Sequence, residues 1–273
     1  MPSKITKTKA YGVASLPGLG EGSGRPGVMP NEDHPAKFSK SILEVIRELL
    51  VDVSGDVLDP FAGVGGVHFL ARTGLRTFGV ELEREWAACH QNTKVGDATK
   101  LRYKDDRFDA VVTSPCYGNR MADHHVAKDP CKACEGKGRV RGKVGGSVVC
   151  VSCKGTKLSR RHTYTHRLGR KLTEGNSGAM AWDTPAYRAL HRKAWAEVHR
   201  VLKPGGLFVL NISDHLRDGV RQPVTAQHLE VVLGTSLKLI EIVPVATPRN
   251  RQGANAGQRV DGELVLVFKK LFP

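Results

Sequence analysis

The stretch Val57-Leu58-Asp59-Pro60-Phe61-Ala62-Gly63-Val64-Gly65-Gly66 constrains this chain more than any other. An apolar pair ends in an acid, a glycine-rich turn follows, and Val67-His68-Phe69-Leu70-Ala71-Arg72 then has helical character. This reads as a buried strand handing over to a helix through a loop that approaches a ligand closely. Glycine permits positive φ and leaves no Cβ between backbone and ligand, and the free amides of a helix start attract an anionic group. Loops of this kind serve dinucleotides and S-adenosylmethionine (SAM) alike, so the residues downstream have to decide between them.

The following segments alternate between strand and helix. An amphipathic helix from about Ser39 to Leu50 precedes the loop. After it come a strand at Thr77–Glu81, a helix at about Glu83–Gln91, a strand near Val95–Thr99 and a buried strand at Phe108–Thr113. A helix from Pro185 to Leu202 starts at Thr184 as N-cap and ends at Lys203-Pro204-Gly205-Gly206. The strand Leu207–Asn211, a helix near Ala226–Leu233 and strands near Leu237–Val245 and Leu264–Lys269 complete the chain. Such alternation predicts an α/β fold with a mostly parallel sheet and helices on both faces. Ligands then sit at the carboxyl ends of the strands, where Asp59, Glu81, Asp97 and Ser114 all fall. Glu81, about 20 residues after the glycine loop, is placed to accept from ribose hydroxyls.

Charge separates a second feature from this body. Of the net +15 over 273 residues, +11 lies between Lys128 and Lys171, where thirteen Lys/Arg face only Asp129 and Glu135. A polyanionic partner follows, with nucleic acid foremost. In the same segment, Cys131-x2-Cys134 and Cys150-x2-Cys153 have the spacing of a four-thiolate zinc site. Such a site has no open position, so the zinc is expected to be structural. No apolar run reaches membrane-span length and the start lacks a signal segment. The expectation is therefore a cytoplasmic protein with no membrane partner.

Four motifs in order, HPAKFS (34–39), LDPFAGVGG (58–66), GVELE (79–83) and TSPCYG (113–118), resemble the class I SAM-dependent methyltransferases. Within that class they resemble the enzymes that methylate the exocyclic amine of cytosine or adenine in DNA. The resemblance implies a Rossmann-like fold with a seven-stranded, mostly parallel sheet. It covers roughly residues 34–118 and 185–269. The implied organisation is a flexible arm (1–33), a SAM-binding and catalytic half (34–127), a basic zinc-binding insert (128–180) and the remainder of the methyltransferase domain (181–273). The glycines of Cys134-Glu135-Gly136-Lys137-Gly138 and Cys153-Lys154-Gly155 resemble knuckles of the DnaJ cysteine-rich domain.

Carried over residue by residue, the resemblance places Asp59, Pro60, Phe61, Ala62, Gly63 and Gly65 along the methionine end of SAM. His34, Pro35, Lys37, Phe38 and Ser39 would close over it. Glu81 with Leu82 would hold the ribose, and Asp97 with Ala98 the adenine. Ser114, Pro115, Cys116 and Tyr117 form the implied catalytic tetrapeptide, with Ser at its first place favouring cytosine N4 over adenine N6. The exocyclic amine is a poor nucleophile because its lone pair is delocalised into the ring. Acceptors at Ser114 and the Pro115 carbonyl would draw it toward sp³, while Tyr117 stacks on a base flipped out of the duplex.

Cys116 departs from the usual second proline, and Pro-Cys is also the nucleophile dipeptide of cytosine C5 methyltransferases. Against that reading, the chain has no Glu-Asn-Val segment, and Tyr rather than Gln follows the cysteine. Two more readings stand beside it: methylation of amines in RNA, and a non-catalytic zinc-dependent nucleic-acid binder. Arg120, Arg160, Arg161, Arg167, Arg170 and Lys171 are the expected phosphate contacts, joined by Arg249 and Arg251 near the active edge of the sheet. The same resemblance admits a solitary enzyme, the partner of a separate restriction nuclease in restriction-modification, or a phage protein.

Overall fold

A computed structural model of the chain describes residues 38–118, 130–131, 133–142, 145–153, 155, 157, 168, 170–217, 219–247, 260 and 262–272. Seven strands form the central sheet: β1 (Asp56–Asp59), β2 (Arg76–Glu81), β3 (Thr93–Val95), β4 (Phe108–Thr113), β7 (Leu202–Ile212), β10 (Leu237–Ala246) and β11 (Gly262–Lys270). Their order is β10-β11-β7-β4-β1-β2-β3. All neighbours are parallel except β11, which runs antiparallel to both β10 and β7. This is the Rossmann-like arrangement the sequence predicts, closed by an antiparallel final strand. Two small hairpins stand apart: β5 (Arg139–Arg141) with β6 (Ser147–Val149), and β8 (His215–Arg217) with β9 (Val220–Gln222).

The central strands β1, β4 and β7 are buried on both faces, and successive residues go to opposite sides. Val57, Ala110, Val112, Val209 and Val265 face α1 (Lys40–Leu49), where Ile42 and Ile46 are buried. Leu58, Val111, Phe208, Leu210 and Leu266 face α3 (Pro185–Val201) and α4 (Val224–Leu233) with Trp195, Val198 and Val232. Each fully buried side chain of this size stabilises the fold by roughly 1.5–3 kcal/mol. Among the described residues no helix is long and apolar enough to cross a membrane.

Several elements differ from expectation. The segment after the glycine loop is a 3₁₀ helix, Gly66–Thr73, set between left-handed Gly65 and Gly74. Its tighter winding covers more length per residue, while His68 is anchored to Thr77 and Thr93. The next helix, α2, shrinks to Arg84–Ala87, because Thr93 must already pair with Gly79 in β3. β3 in turn ends at Val95, and Asp97 turns back on Thr99. Lys203–Gly206 is no free turn but a bulge inside β7. The register on β4 jumps from Phe108↔Leu202 to Ala110↔Leu207 across it.

Candidate active site

The glycine loop and the loop after β4 lie side by side at the carboxyl edge of the sheet. Asp59, the last residue of β1, is buried, and its Oδ1 accepts from the Phe61 amide (2.9 Å) and from Thr113 Oγ1 (2.6 Å). Thr113 ends β4, so this bond ties the cofactor-type loop directly to the Ser114–Tyr117 loop. Burial raises the Asp59 carboxyl to about 7, against the lowering by its two donors. Glu81, at the end of β2, accepts from the Gly63 amide (2.9 Å) and the Glu83 amide (2.8 Å). Burial likewise raises it to about 7. Two buried carboxyls thus flank the glycine loop as acceptors at the carboxyl edge of the sheet.

Gly65 has φ +87, and a Cβ there would meet His68 Cδ2 at 2.8 Å, so only glycine fits between loop and helix. Ala62, Gly63 and Pro60 are buried in this turn, with the Ala62 amide bonded to Val80 O. Phe61 turns its ring onto His191 and Trp195 (centroids 5.7 and 5.8 Å), which makes it a packing residue. Phe38 touches the loop: a Cβ on Gly66 would lie 3.0 Å from its ring. Ser39 is the N-cap of α1, accepting from the Ile42 amide at 3.3 Å, and this capping explains its place better than a ligand does. Gly96 donates to Glu81 O, which brings the Gly96–Asp97 turn next to the end of β2; Asp97 is exposed and accepts from Thr99. Ala98 is buried in the core beside Val80, and Leu82 is half-buried. His34, Pro35, Lys37, Arg120, Arg160, Arg161, Arg167, Arg249 and Arg251 lie outside the described residues.

The tetrapeptide has partners that sequence reading missed. Ser114 Oγ lies 2.9 Å from Tyr117 Oη, and Tyr117 donates to Glu263 Oε2 at 2.9 Å. Asn211 Nδ2 reaches Glu263 Oε2 (2.6 Å), Tyr117 Oη (3.0 Å) and Ser114 Oγ (3.2 Å). Asn211 is the polar end of an apolar strand, the same signal that marks Asp59 and Glu81. Glu263 opens β11 and has no local signature. A groove of about 460 Å³ lined by Arg221, Val245, Gly262, Glu263 and Leu264 opens beside this cluster.

Cys116 packs against the apolar cluster of Val64, Trp86 and Cys89, while its carbonyl accepts from Tyr187 Oη at 2.7 Å. Pro115 is buried. Gly118, at φ +62, leaves no room for a Cβ, which would fall 2.5 Å from the Trp182 backbone, and its carbonyl accepts from the Trp182 amide.

Arg170, expected on phosphate, is instead bound to protein. Its guanidinium donates to Glu83 Oε2 (2.7 Å) and to both oxygens of Glu85. Fully buried Glu83 also accepts from the Thr173 amide, Thr173 Oγ1 and Asn176 Nδ2. This clasp fastens the end of the basic segment to the residues just after Glu81. Lys171 stays exposed.

The four cysteines converge. Cys131, Cys134, Cys150 and Cys153 are buried, and their Sγ atoms all lie within 4.8 Å of one another. Cys131–Cys150 is 3.9 Å and Cys134–Cys153 is 3.7 Å. A tetrahedral ion with Zn–S near 2.3 Å requires S···S separations of roughly 3.8 Å, so the donor set fits zinc. The Gly138 amide donates to Cys134 Sγ (3.1 Å), as thiolate ligands require.

No family model matches this sequence, and no curated protein sequence matches it significantly. Among solved structures it is similar to a SAM-dependent methyltransferase from Methanosarcina mazei, at 12% identity. That match covers 87% of this chain and 100% of the other, with TM-score 0.47. It is similar too to a TehB-like SAM-dependent methyltransferase from Corynebacterium glutamicum (16% identity, 82% and 86% covered, TM-score 0.42). The N-methyltransferase NodS from Bradyrhizobium japonicum is a third (12% identity, 84% and 94% covered, TM-score 0.44). At such scores the strand order, not the likeness, defines the fold.

Proposed function

We propose that this chain is a SAM-dependent methyltransferase acting on the exocyclic amine of a base in duplex DNA, cytosine N4 ahead of adenine N6. The observation that carries the reading is the Thr113–Asp59 bond of 2.6 Å, which locks the Ser114–Tyr117 loop against the glycine loop. A methyl donor held by one loop is thereby within reach of an amine held by the other.

In this reading Asp59, Gly63 and Gly65 cradle the methionine end of SAM, Glu81 its ribose and Asp97 its adenine. SAM supplies an electrophilic methyl on a sulfonium, so the protein's task is positioning and charge stabilisation. Ser114 Oγ and the Pro115 carbonyl accept from the amine, and Tyr117 bears on the flipped base. Zinc on Cys131, Cys134, Cys150 and Cys153 staples the basic segment, whose cations, exposed Lys171 among them, hold phosphates without reading sequence. The Cys116 side chain sits in an apolar cluster, which favours a packing role over that of a C5 nucleophile.

Calorimetric titration with SAM, followed by incubation with tritiated SAM and either duplex DNA or RNA and nucleoside analysis, tests the proposal. Label in N4-methylcytosine or N6-methyladenine from DNA is the expected outcome. Failure to bind near-millimolar SAM rules the enzyme reading out.

A further inference from the structure

We propose that Glu263 is the terminal acceptor of the proton released on methyl transfer, reached from the substrate amine through Ser114 and Tyr117. The inference rests on the amine-methyltransferase reading above.

The direction of the chain follows from counting protons. Tyr117 has one hydroxyl proton, and it goes to Glu263 Oε2 at 2.9 Å. An ionised carboxylate is acceptor-only, so Glu263 does not return it. The 2.9 Å contact between Ser114 Oγ and Tyr117 Oη is then made with the serine proton. Asn211 Nδ2 has two protons and no acceptor, and lies within 3.2 Å of all three oxygens. The serine and tyrosine hydroxyl protons therefore both run toward Glu263, and Ser114 Oγ keeps a lone pair for a substrate N–H.

Nothing local requires such an arrangement. Asn211 is 2% exposed, and its Oδ1 is buried without a partner among the described residues. A buried unsatisfied amide oxygen costs on the order of 1–3 kcal/mol. A core built for stability alone would replace this cluster with apolar side chains. Glu263 also lines the groove of about 460 Å³, where Arg221 and Leu264 stand on other walls. The acceptor thus stands between this cluster and the groove, on the strand next to β7.

The step balances. The amine lone pair forms the N–CH₃ bond, and the S–CH₃ pair remains on sulfur to give a neutral thioether. The methylated nitrogen is then cationic and strongly acidic, because losing a proton restores conjugation with the ring. Its N–H proton passes to Ser114 Oγ as the serine proton passes to Tyr117 Oη and the tyrosine proton to Glu263 Oε2. The product leaves neutral and Glu263 leaves as the acid, to be discharged to water.

The test uses the full chain with SAM and duplex DNA both saturating, so that kcat reports the bound complex. Glu263→Gln still accepts from Tyr117 and Asn211 through its amide oxygen, but it takes no proton. Its kcat is expected to fall about a hundredfold, a typical loss for a proton-transfer group, with the SAM Kd within twofold. Glu263→Asp should recover part of the lost rate. Tyr117→Phe combined with Glu263→Gln should be no slower than the worse single variant. If wild type methylates an amine while Glu263→Gln keeps kcat within threefold, the relay is wrong and the amine reading stands. If wild type binds SAM but forms no methylated amine, both fall together.

Discussion

Tyr187, buried in α3, donates its hydroxyl proton to the backbone carbonyl of Cys116 across 2.7 Å and so grips the loop that ends β4. The grip is itself held. His228 Nε2 lies 2.9 Å from Tyr187 Oη, and Trp195 Nε1 donates to His228 Nδ1 at 3.3 Å. These bonds fix His228 as the neutral Nε2–H tautomer, in keeping with burial, which drives its pKa well below the ordinary value. The chain runs Trp195 to His228 to Tyr187 to Cys116, from the middle of the core to the loop proposed to hold the substrate amine.

Tyr187→Phe removes the hydroxyl and leaves His228 Nε2–H and the Cys116 carbonyl without it. The expected loss is about 1–3 kcal/mol of stability, the cost of stranding buried polar groups. Turnover should fall at least tenfold while the SAM Kd changes less than twofold. Urea unfolding and single-turnover methylation measure the two effects. Unchanged turnover in a folded Tyr187→Phe protein contradicts a role for this bond in holding the loop.

Asp59 and Glu81, both raised to about 7 by burial, make SAM binding pH-dependent. SAM carries a positive sulfonium, and ribose hydroxyls need an acceptor, so the ionised carboxylates bind it better. Affinity should rise as pH increases through 7. For each group, Kd weakens by at most about tenfold per unit below pH 7. The free protein behaves oppositely. Folded, these acids keep protons that the unfolded chain has released above about pH 4–4.5. Their contribution to stability therefore declines from there to about pH 7 and is flat beyond. Calorimetry at pH 6 and pH 8 checks the binding trend, and Glu81→Gln should flatten part of it.

Removing zinc should affect the basic module and spare the sheet. Metal analysis is expected to give one zinc per chain, and Cys131→Ser or Cys153→Ser to lose it. Chelation should weaken DNA affinity at least tenfold, since the β5–β6 hairpin is bounded by the four cysteines, and leave the SAM Kd within twofold. Equal loss of SAM binding on chelation contradicts the separation of the two units.

Glu83 is fully buried and accepts from Arg170, Thr173 and Asn176. Glu83→Ala strands the buried Asn176 amide and removes the acceptor shared by Thr173, at a cost of about 1–3 kcal/mol, while Arg170 keeps Glu85. Arg170→Ala should cost less, because Glu83 keeps three other donors and Arg170 is partly exposed. Denaturant midpoints order the two variants; a reversed order contradicts the clasp.

The parts of this site visible in the sequence are those built from neighbouring residues. The glycine loop, Glu81 and the Ser114–Tyr117 tetrapeptide each follow a strand in sequence, and period-2 and period-3.6 patterns locate those strands. The four cysteines are legible because ligand spacing is local. Glu263 is not, since an antiparallel strand added last brings it beside Asn211 and Tyr117 from far along the chain. Arg170 reads as a phosphate contact by charge alone; only the fold sets it against Glu83 and Glu85. The helix expected at Glu83–Gln91 shrinks to one turn because β3 pairing at Thr93 outweighs helix propensity.

The most direct test of the central proposal is nucleoside analysis of duplex DNA methylated with tritiated SAM by the wild-type chain and by Ser114→Ala. The expected result is label in N4-methylcytosine, or in N6-methyladenine, and a loss of at least a hundredfold in Ser114→Ala with SAM binding intact. Label found only as 5-methylcytosine, or only in RNA, contradicts it.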